Sequence, residues 1–517
     1  MTVDRRRLLT GGALIGGGLL IGGGLTATSA SASPAAPALL RGRPALTHGV
    51  QAGDVTGETA VIWTRADRES RMWVEVSARP DFKHARLYRG PRLTAATDYT
   101  GKLTVDGLRS GRALHYRVWA SDGRTEGTPV AGEFRTAPRR GQDVRFVWSG
   151  DLAGQGWGIN PELGGFRIFD AMSSVDPDFF LCSGDYYYAD GPLAETVALP
   201  GDRTWRNIVV PEKQKVAESL DEYRGQYKYN LLDDKLRAFL ATTPIVNQWD
   251  DHEVRNNWYP GQILDDARYT EKSIDVLAAR ARRAFGEYTP NRLSADGTGR
   301  IYRKISHGPL LDVFVLDMRT YKDPNGPGRD PQAPAGLLGR EQLDWLKREL
   351  RRSTATWKVI ANDLPLGLVV PDGPVNQEGV AQGDNGLPMG REREIAELLT
   401  HIKRKDITGT LWLTADVHYT AAHHYDPSRA AYRDFDPFWE FVSGPLNAGA
   451  FGPNKLDGTF GPEARYVKAP PVANTSPADG YQFFGEVAID GDSEDLTVRL
   501  RDLDNTVLFE VTLPAAN

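Results

Sequence analysis

The chain has 517 residues, of which 40% are hydrophobic and 25% charged, and carries a net charge of −6. That length exceeds one ordinary domain, and the acidic balance argues against a general nucleic-acid binder. The single cysteine, Cys182, excludes an intrachain disulfide and a cysteine-based zinc cluster.

Residues 1–32 read as an export leader. Asp4-Arg5-Arg6-Arg7-Leu8-Leu9 carries a twin arginine, an apolar Gly-rich stretch runs to Leu25, and Ala30-Ser31-Ala32 is an A-x-A cleavage signature. This is the pattern of a Tat signal. It predicts a secreted protein that meets the Tat export machinery folded and is cleaved near Ala32. The glycines and the cleavage signature argue against a membrane anchor. Residues 33–46, SPAAPALLRGRPAL, are a Pro- and Ala-rich linker.

Residues 47–138 hold short alternating runs such as TAVIWTR (59–65), RMWVEVSA (71–78), ALHYRVWA (113–120) and GEFRTA (132–137). Gly, Asp and Pro punctuate them, which predicts a small all-β sandwich of fibronectin or immunoglobulin type. From 143 to 517 the pattern becomes α/β. Strands are expected at VRFVWSG (144–150), DFFLCSG (178–184), TPIVNQW (243–249), LLDVFVLD (310–317), TWKVIAND (356–363) and GTLWLTAD (409–416). Helices are expected at 164–174, 234–241 and 339–353, the last with Leu343, Leu346 and Leu350 on one face. Three more strands close the chain at 486–491, 495–502 and 506–513. Residues 370–390 and 449–480 are long Gly- and Pro-rich loops, a common setting for binding surfaces.

Four of these strands end alike. The first ends at Asp151, and the second at Asp185, followed by Tyr186-Tyr187-Tyr188. The third ends at Asp250-Asp251-His252-Glu253, and the strand 409–416 ends at Asp416-Val417-His418. In an open α/β sheet, ligands bind beyond the carboxyl ends of the strands, so the four ends are candidates to converge. Carboxylates and imidazoles brought together repel one another unless cations neutralise them. Oxygen-rich donors suit hard metals, and two metals suit phosphoryl chemistry. Each end also has an ordinary reading. An Asp after a strand caps a turn, and Asp416 with His418 makes a plausible salt-bridged pair. His423-His424 reads as a surface pair, and Cys182 as core.

The order GD…GDxxY…WDDHEV…DVH resembles the PhoD-like alkaline phosphatases and phosphodiesterases. Residues 316–321 (LDMRTY), the run GLLGREQLDWLKRELRRSTATWKVIAND, the preceding β-sandwich and the twin-arginine leader support that resemblance. It implies the calcineurin-like four-layer α/β/β/α metallophosphoesterase sandwich with ferric iron and calcium. Carried over residue by residue, it implies metal ligands at Asp151, Asp185, Tyr188, Asp251, Asp416 and His418. Asp185 would bridge, Tyr188 would be the phenolate ligand of iron, and Asp251 would bind the second metal. His252 would contact the phosphate or protonate the leaving oxygen. Arg255 is assigned either to a substrate oxygen or to a salt bridge with Glu253 or Asp250. The chain departs from the family at one place, where Asp151 stands for the usual cysteine ligand. That makes the site harder and leaves ferric iron compatible through Tyr188.

The function expected is hydrolysis of phosphate mono- or diesters by metal-activated hydroxide, for phosphate scavenging by a monomer. The substrate is a phosphate ester, whether a small molecule, a nucleic acid, a teichoic acid or a phospholipid headgroup. Two alternatives stand beside it. One is a phospholipase D-type phosphodiesterase on the same site, approached through loops holding Trp157, Trp258, Phe438, Trp439 and Phe441. The other is a non-catalytic wall- or polymer-binding protein.

Overall fold

The computed structural model describes residues 42–292, 299–330, 333 and 335–516. The leader expected over 1–32 and the linker as far as residue 41 lie outside them.

Two large sheets carry the α/β part. The first has nine strands in the order Val507–Leu513, Leu496–Asp502, Phe483–Ile489, Val144–Ser149, Phe179–Ser183, Ile245–Gln248, Leu46–Gly53, Ala60–Ala66 and Thr100–Val105. The second has seven, in the order Arg303–Ser306, Leu311–Val315, Trp357–Ala361, Thr410–Thr414, Phe438–Val442, Thr420–Tyr425 and Pro462–Lys468. The central strands of each sheet run parallel.

Side chains alternate across a strand, and here the alternation sorts them into layers. Phe146, Trp148, Phe179 and Leu181 meet Val313, Val315, Val359, Leu411 and Leu413 between the two sheets. The intervening Val147, Phe180 and Cys182 face the opposite way, onto helices Ile168–Ser174, Leu220–Asn230, Asp234–Thr242 and Ile274–Tyr288. Phe314, Ile360 and Trp412 face helices Gly339–Arg352 and Glu392–Arg404. The result is the α/β/β/α sandwich expected. Three of these helices, Leu220–Asn230, Ile274–Tyr288 and Glu392–Arg404, go beyond the elements read from sequence. The first starts on a capping box, with Ser219 accepting from the Glu222 amide and Glu222 accepting from the Ser219 amide.

The N-terminal β region pairs a second sheet, Arg86–Leu93, Ser70–Ser77, Ala113–Ser121 and Val130–Arg135, with the strands 46–53, 60–66 and 100–105. Val50, Ile62, Val74, Tyr116 and Val118 fill the space between them. The strands 46–53 and 60–66 therefore serve two structures at once. Gly53 pairs in parallel with Ile245 and so extends the nine-stranded sheet of the α/β part. A buried ion pair strengthens this junction. Arg303 donates through Nη2 and Nε to both oxygens of Asp54 (2.8 and 2.9 Å) and through Nη1 to the Asn247 carbonyl (2.9 Å). Among the described residues, no helix is long and apolar enough to cross a membrane.

Candidate metal centre

The strands that end in aspartate deliver their loops to one end of the sandwich. The chain needs unusual backbone there. Asp151, Asp185, Asp416 and His418 all have left-handed φ, at 66°, 47°, 64° and 59°. Asp and His tolerate this region better than most residues, but each such residue still costs on the order of 1–3 kcal/mol and persists only where the surroundings enforce it. Close approach adds its own demand. A Cβ on Gly154 would lie 2.3 Å from the Tyr188 ring, and one on Gly184 would lie 2.4 Å from Asp250 Cβ.

Two sets of donors result. Asp151, Asp185 and His418 bring one ligand atom each within 4.8 Å of the others, and Asp185, Asp251 and His252 do the same. Asp185 belongs to both sets. Tyr188 joins the first, its hydroxyl 2.7 Å from His418 Nε2. The His418 Nδ1–H donates to the Gly449 carbonyl, so Nε2 is a lone pair facing the site. Burial holds His418 down to about 4, against the Gly449 contact, which keeps the ring neutral. His418 Nε2 lies 3.4 Å from Asp151 Oδ1, yet neither oxygen of the fully buried Asp151 accepts a hydrogen bond.

The second set is organised differently. His252 Nδ1 donates to Asp190 Oδ1 at 2.7 Å, which leaves Nε2 toward the site, 3.8 Å from Asp251 Oδ1. Burial opposes its charge, but Asp190 and then Asp251 raise His252 to about 9. Asp251 Oδ2 accepts from the Asn257 amide at 2.6 Å. Glu253 is buried and accepts from three backbone amides, Tyr186 (2.7 Å), Asp250 (2.8 Å) and Asp185 (3.2 Å). It therefore ties the second strand end to the third. Burial pushes Glu253 up to about 8, against the amides that pull it down.

Asp416 lies outside both sets. Its Oδ1 is 3.3 Å from Nη2 of Arg319. Arg319 is itself fully buried and also holds Asp250 (Nε to Oδ1, 2.5 Å), Asp363 (3.0 Å), Asp251 (3.6 Å) and Glu378. Lys322 joins Glu378 at 2.6 Å.

Burial first, then the charges of Asp250 and its neighbours, push Asp151, Asp185 and Asp416 well above the usual carboxylate range. Bound cations relieve that repulsion. The donors present fit such cations. They are oxygen and imidazole nitrogen, with Asp151 oxygens that accept no hydrogen bond and a His418 Nε2 whose hydrogen-bond partner is the Tyr188 hydroxyl, and the one thiol, Cys182, is enclosed in its strand.

Several residues differ from their sequence reading. The Arg255 Nη2 stands 4.0 Å from Asp266, because Glu253 is taken by amides and Asp250 by Arg319. His423 is no surface residue. It is buried in strand Thr420–Tyr425, its Nδ1 3.8 Å from Glu440. Trp157, Trp258, Phe438 and Phe441 are buried, and Phe438–Val442 is a strand, so these rings form no open apolar approach. Sequence reasoning missed Asp190 and Arg319 as site residues. Asp190 follows no strand and carried no signal. Arg319 was within reach, because LLDVFVLD and TWKVIAND also end in acids, Asp317 and Asp363, and Arg319 lies two residues beyond the first. The two long loops do reach the site, one through Glu378 and the other through the Gly449 carbonyl.

Comparison with known proteins supplies the family. The model of the PhoD-like phosphatase matches residues 146–500, and that of the PhoD-like phosphatase N-terminal domain matches residues 30–138. Alkaline phosphatase D of Bacillus subtilis (strain 168) is 28% identical over 478 residues, covering 88% of this chain and 78% of that protein. A solved structure of PhoD superposes with a TM-score of 0.67 at 21% identity, over 91% of this chain and 92% of its own. The purple acid phosphatase PPD1 of yellow lupin (Lupinus luteus) seeds superposes with a TM-score of 0.54 at 13% identity, over 91% and 74%. At those identities the two structures speak to the fold.

Proposed function

Since the chain belongs to the PhoD-like phosphatase family and is a phosphoester hydrolase, we propose that it is an exported alkaline phosphatase D-like enzyme that releases phosphate from mono- and diesters for scavenging. The observation that carries this reading is the sharing of Asp185 between two donor sets. A single carboxylate common to both is what a pair of cations asks for.

Asp151, Asp185, Tyr188 and His418 would hold one cation, and Asp185 with Asp251 the other. The hard donors and the phenol favour ferric iron in the first place and calcium in the second. Bound there, the cations would polarise the phosphoryl oxygens and lower the pKa of a water. The chain supplies the rest. Asp190 fixes His252 Nδ1, so Nε2 presents a proton to the departing ester oxygen. Glu253 keeps the second and third strand ends in register. The Arg255 Nε has no partner, so its guanidinium has a donor to offer a phosphate oxygen. Asp416, facing Arg319, acts by setting the position of that guanidinium and, through it, of Asp250 and Asp251. The twin-arginine leader supports export, and the buried aromatics disfavour the phospholipase alternative.

The test is to purify the exported chain and measure its metals by mass spectrometry. Its visible spectrum and its turnover of p-nitrophenyl phosphate and bis-p-nitrophenyl phosphate complete the assay. Iron with calcium, a phenolate band and hydrolysis of either ester are expected. No bound metal after refilling, together with no phosphate release, refutes the reading.

A further inference from the structure

The segment between Tyr188 and Leu193 carries two site groups at once, the Tyr188 phenol and the Asp190 carboxylate that holds His252. It needs support from behind, and Lys213 supplies it. The Lys213 side chain is almost wholly buried. Its Nζ donates to the Tyr188 carbonyl at 3.1 Å and to Gln226 Oε1 at 2.8 Å, and lies 5.4 Å from the centre of the Tyr229 ring. Its own backbone carbonyl accepts from the Leu193 amide at 2.7 Å. One residue therefore grips both ends of the segment, with its side chain at Tyr188 and its main chain at Leu193. Two backbone bonds continue the brace, from Ala217 N to the Ala189 carbonyl (2.8 Å) and from Ala189 N to the His252 carbonyl (2.9 Å).

The chemistry of this contact is unusual for scaffolding. The Nζ partners are a carbonyl, an amide and a ring, all neutral. Burying an ammonium among neutral groups is costly, and a methionine of similar length fills the same space without that cost. A purely architectural role does not ask for the charge. Burial draws Lys213 down to about 7 against the pull of Asp190, and what the amine offers the site is its pair of donated bonds, to the Tyr188 carbonyl and to Gln226 Oε1.

We propose that Lys213 is a positioning residue for phosphate-ester hydrolysis, holding Tyr188 and the Asp190–His252 pair in register from behind. The inference rests on the hydrolase reading above. Its effect runs through the segment, because Nζ touches no atom that faces the substrate. Partners of this kind are worth about 10–100-fold in activity when removed.

Lys213→Met tests it, because the main-chain bond to Leu193 survives the substitution. The variant is expected to keep the parent's metal content and to remain folded, with a small fall in Tm from the two acceptors left without a donor. Its KM should stay within about threefold while kcat falls about 10–100-fold. A kcat within twofold of the parent overturns the inference. Loss of metal, or a fall in kcat matched by a fall in folded fraction, also overturns it and leaves Lys213 a scaffold residue. If Lys213→Met does not fold, Gln226→Leu strips Nζ of one partner and reads the same split between kcat and KM, and an unchanged kcat there is equally fatal. A parent chain with neither metal nor turnover overturns the hydrolase reading itself, and this inference with it.

Discussion

Three times this chain runs a strand into a Gly-Asp pair, once in the N-terminal β region and twice in the α/β region. The pairs are Gly53-Asp54, Gly150-Asp151 and Gly184-Asp185. All three aspartates take left-handed φ, at 43°, 66° and 47°, and all three are buried, with exposures of 0%, 0% and 2%. Locally they are the same device. Their partners separate them. Both oxygens of Asp54 are engaged by Arg303, and the Arg292 amide adds a bond of 2.6 Å. The Asp151 oxygens have no donor, and Asp185 accepts from the His252 amide while sharing its pocket with Asp250 and Asp251. A buried carboxylate with a full set of donors is architecture. One left facing other carboxylates is a place for a cation.

That contrast breaks most sharply at Asp185. Asp185→Asn removes a repelling charge and the shared ligand together. We expect phosphate release to fall by more than about 1,000-fold, or more than about 4 kcal/mol of barrier, with metal lost. Retained metal and activity would place Asp185 with Asp54 among the structural aspartates. The mirror experiment is Asp54→Ala, which strands the Arg303 guanidinium in a buried site. Breaking such a pair costs about 3–5 kcal/mol, so urea unfolding should show a stability loss of that size. The folded fraction should keep its metals and its kcat. A metal deficit in that fraction would mean that the junction at Gly53 and Ile245 shapes the centre as well as supporting it.

A smaller effect tests the same rule away from both the junction and the metal centre. Glu218 accepts from the amides of Thr270 (2.6 Å) and Glu271 (2.8 Å) and from the Thr270 hydroxyl (2.8 Å). Burial opposes the charge, but the donors, Glu271 first, hold the carboxyl at about 2. A depressed carboxyl stabilises the fold above its ordinary value and loses that stabilisation as pH falls toward the depressed one. The stability difference between parent and Glu218→Gln, followed by urea titration, should therefore shrink as pH drops from about 4.5 to about 2. A difference independent of pH over that window would show that Glu218 is not held ionised by those donors.

Much of the fold was legible because its strands are long apolar runs with punctuation at both ends. Residues 144–150, 178–184 and 409–416 read as strands, and each range holds one, Val144–Ser149, Phe179–Ser183 and Thr410–Thr414. Helix Leu220–Asn230 was harder, since it buries Tyr223, Arg224, Gln226, Tyr227 and Asn230 and so lacks the apolar stripe that marks a helix in sequence. The site was partly legible for a similar reason. Asp151, Asp185, Asp251, Asp416 and His418 stand directly after apolar strands, where chemistry collects in α/β sheets. Asp190 sits in an irregular connection and Lys213 in the single 3-10 turn Pro211–Lys213, neither with a composition that says what it faces, and Asp416 turned out to face Arg319.

The primary sequence was enough to set six of the central strands in chain order, though not Phe438–Val442 beside them, together with the acids at their carboxyl ends and the resemblance they carry, because each of these is a local pattern of hydrophobicity and spacing. It left open which acids are satisfied and which are left for a cation. That depends on partners distant in the chain, such as Arg303 for Asp54, 249 residues away, and His418 for Tyr188, 230 residues away. Only the packing of one sheet on the other brings those groups together, and the energy of a buried charge is decided by its nearest few ångströms rather than by its neighbours in sequence.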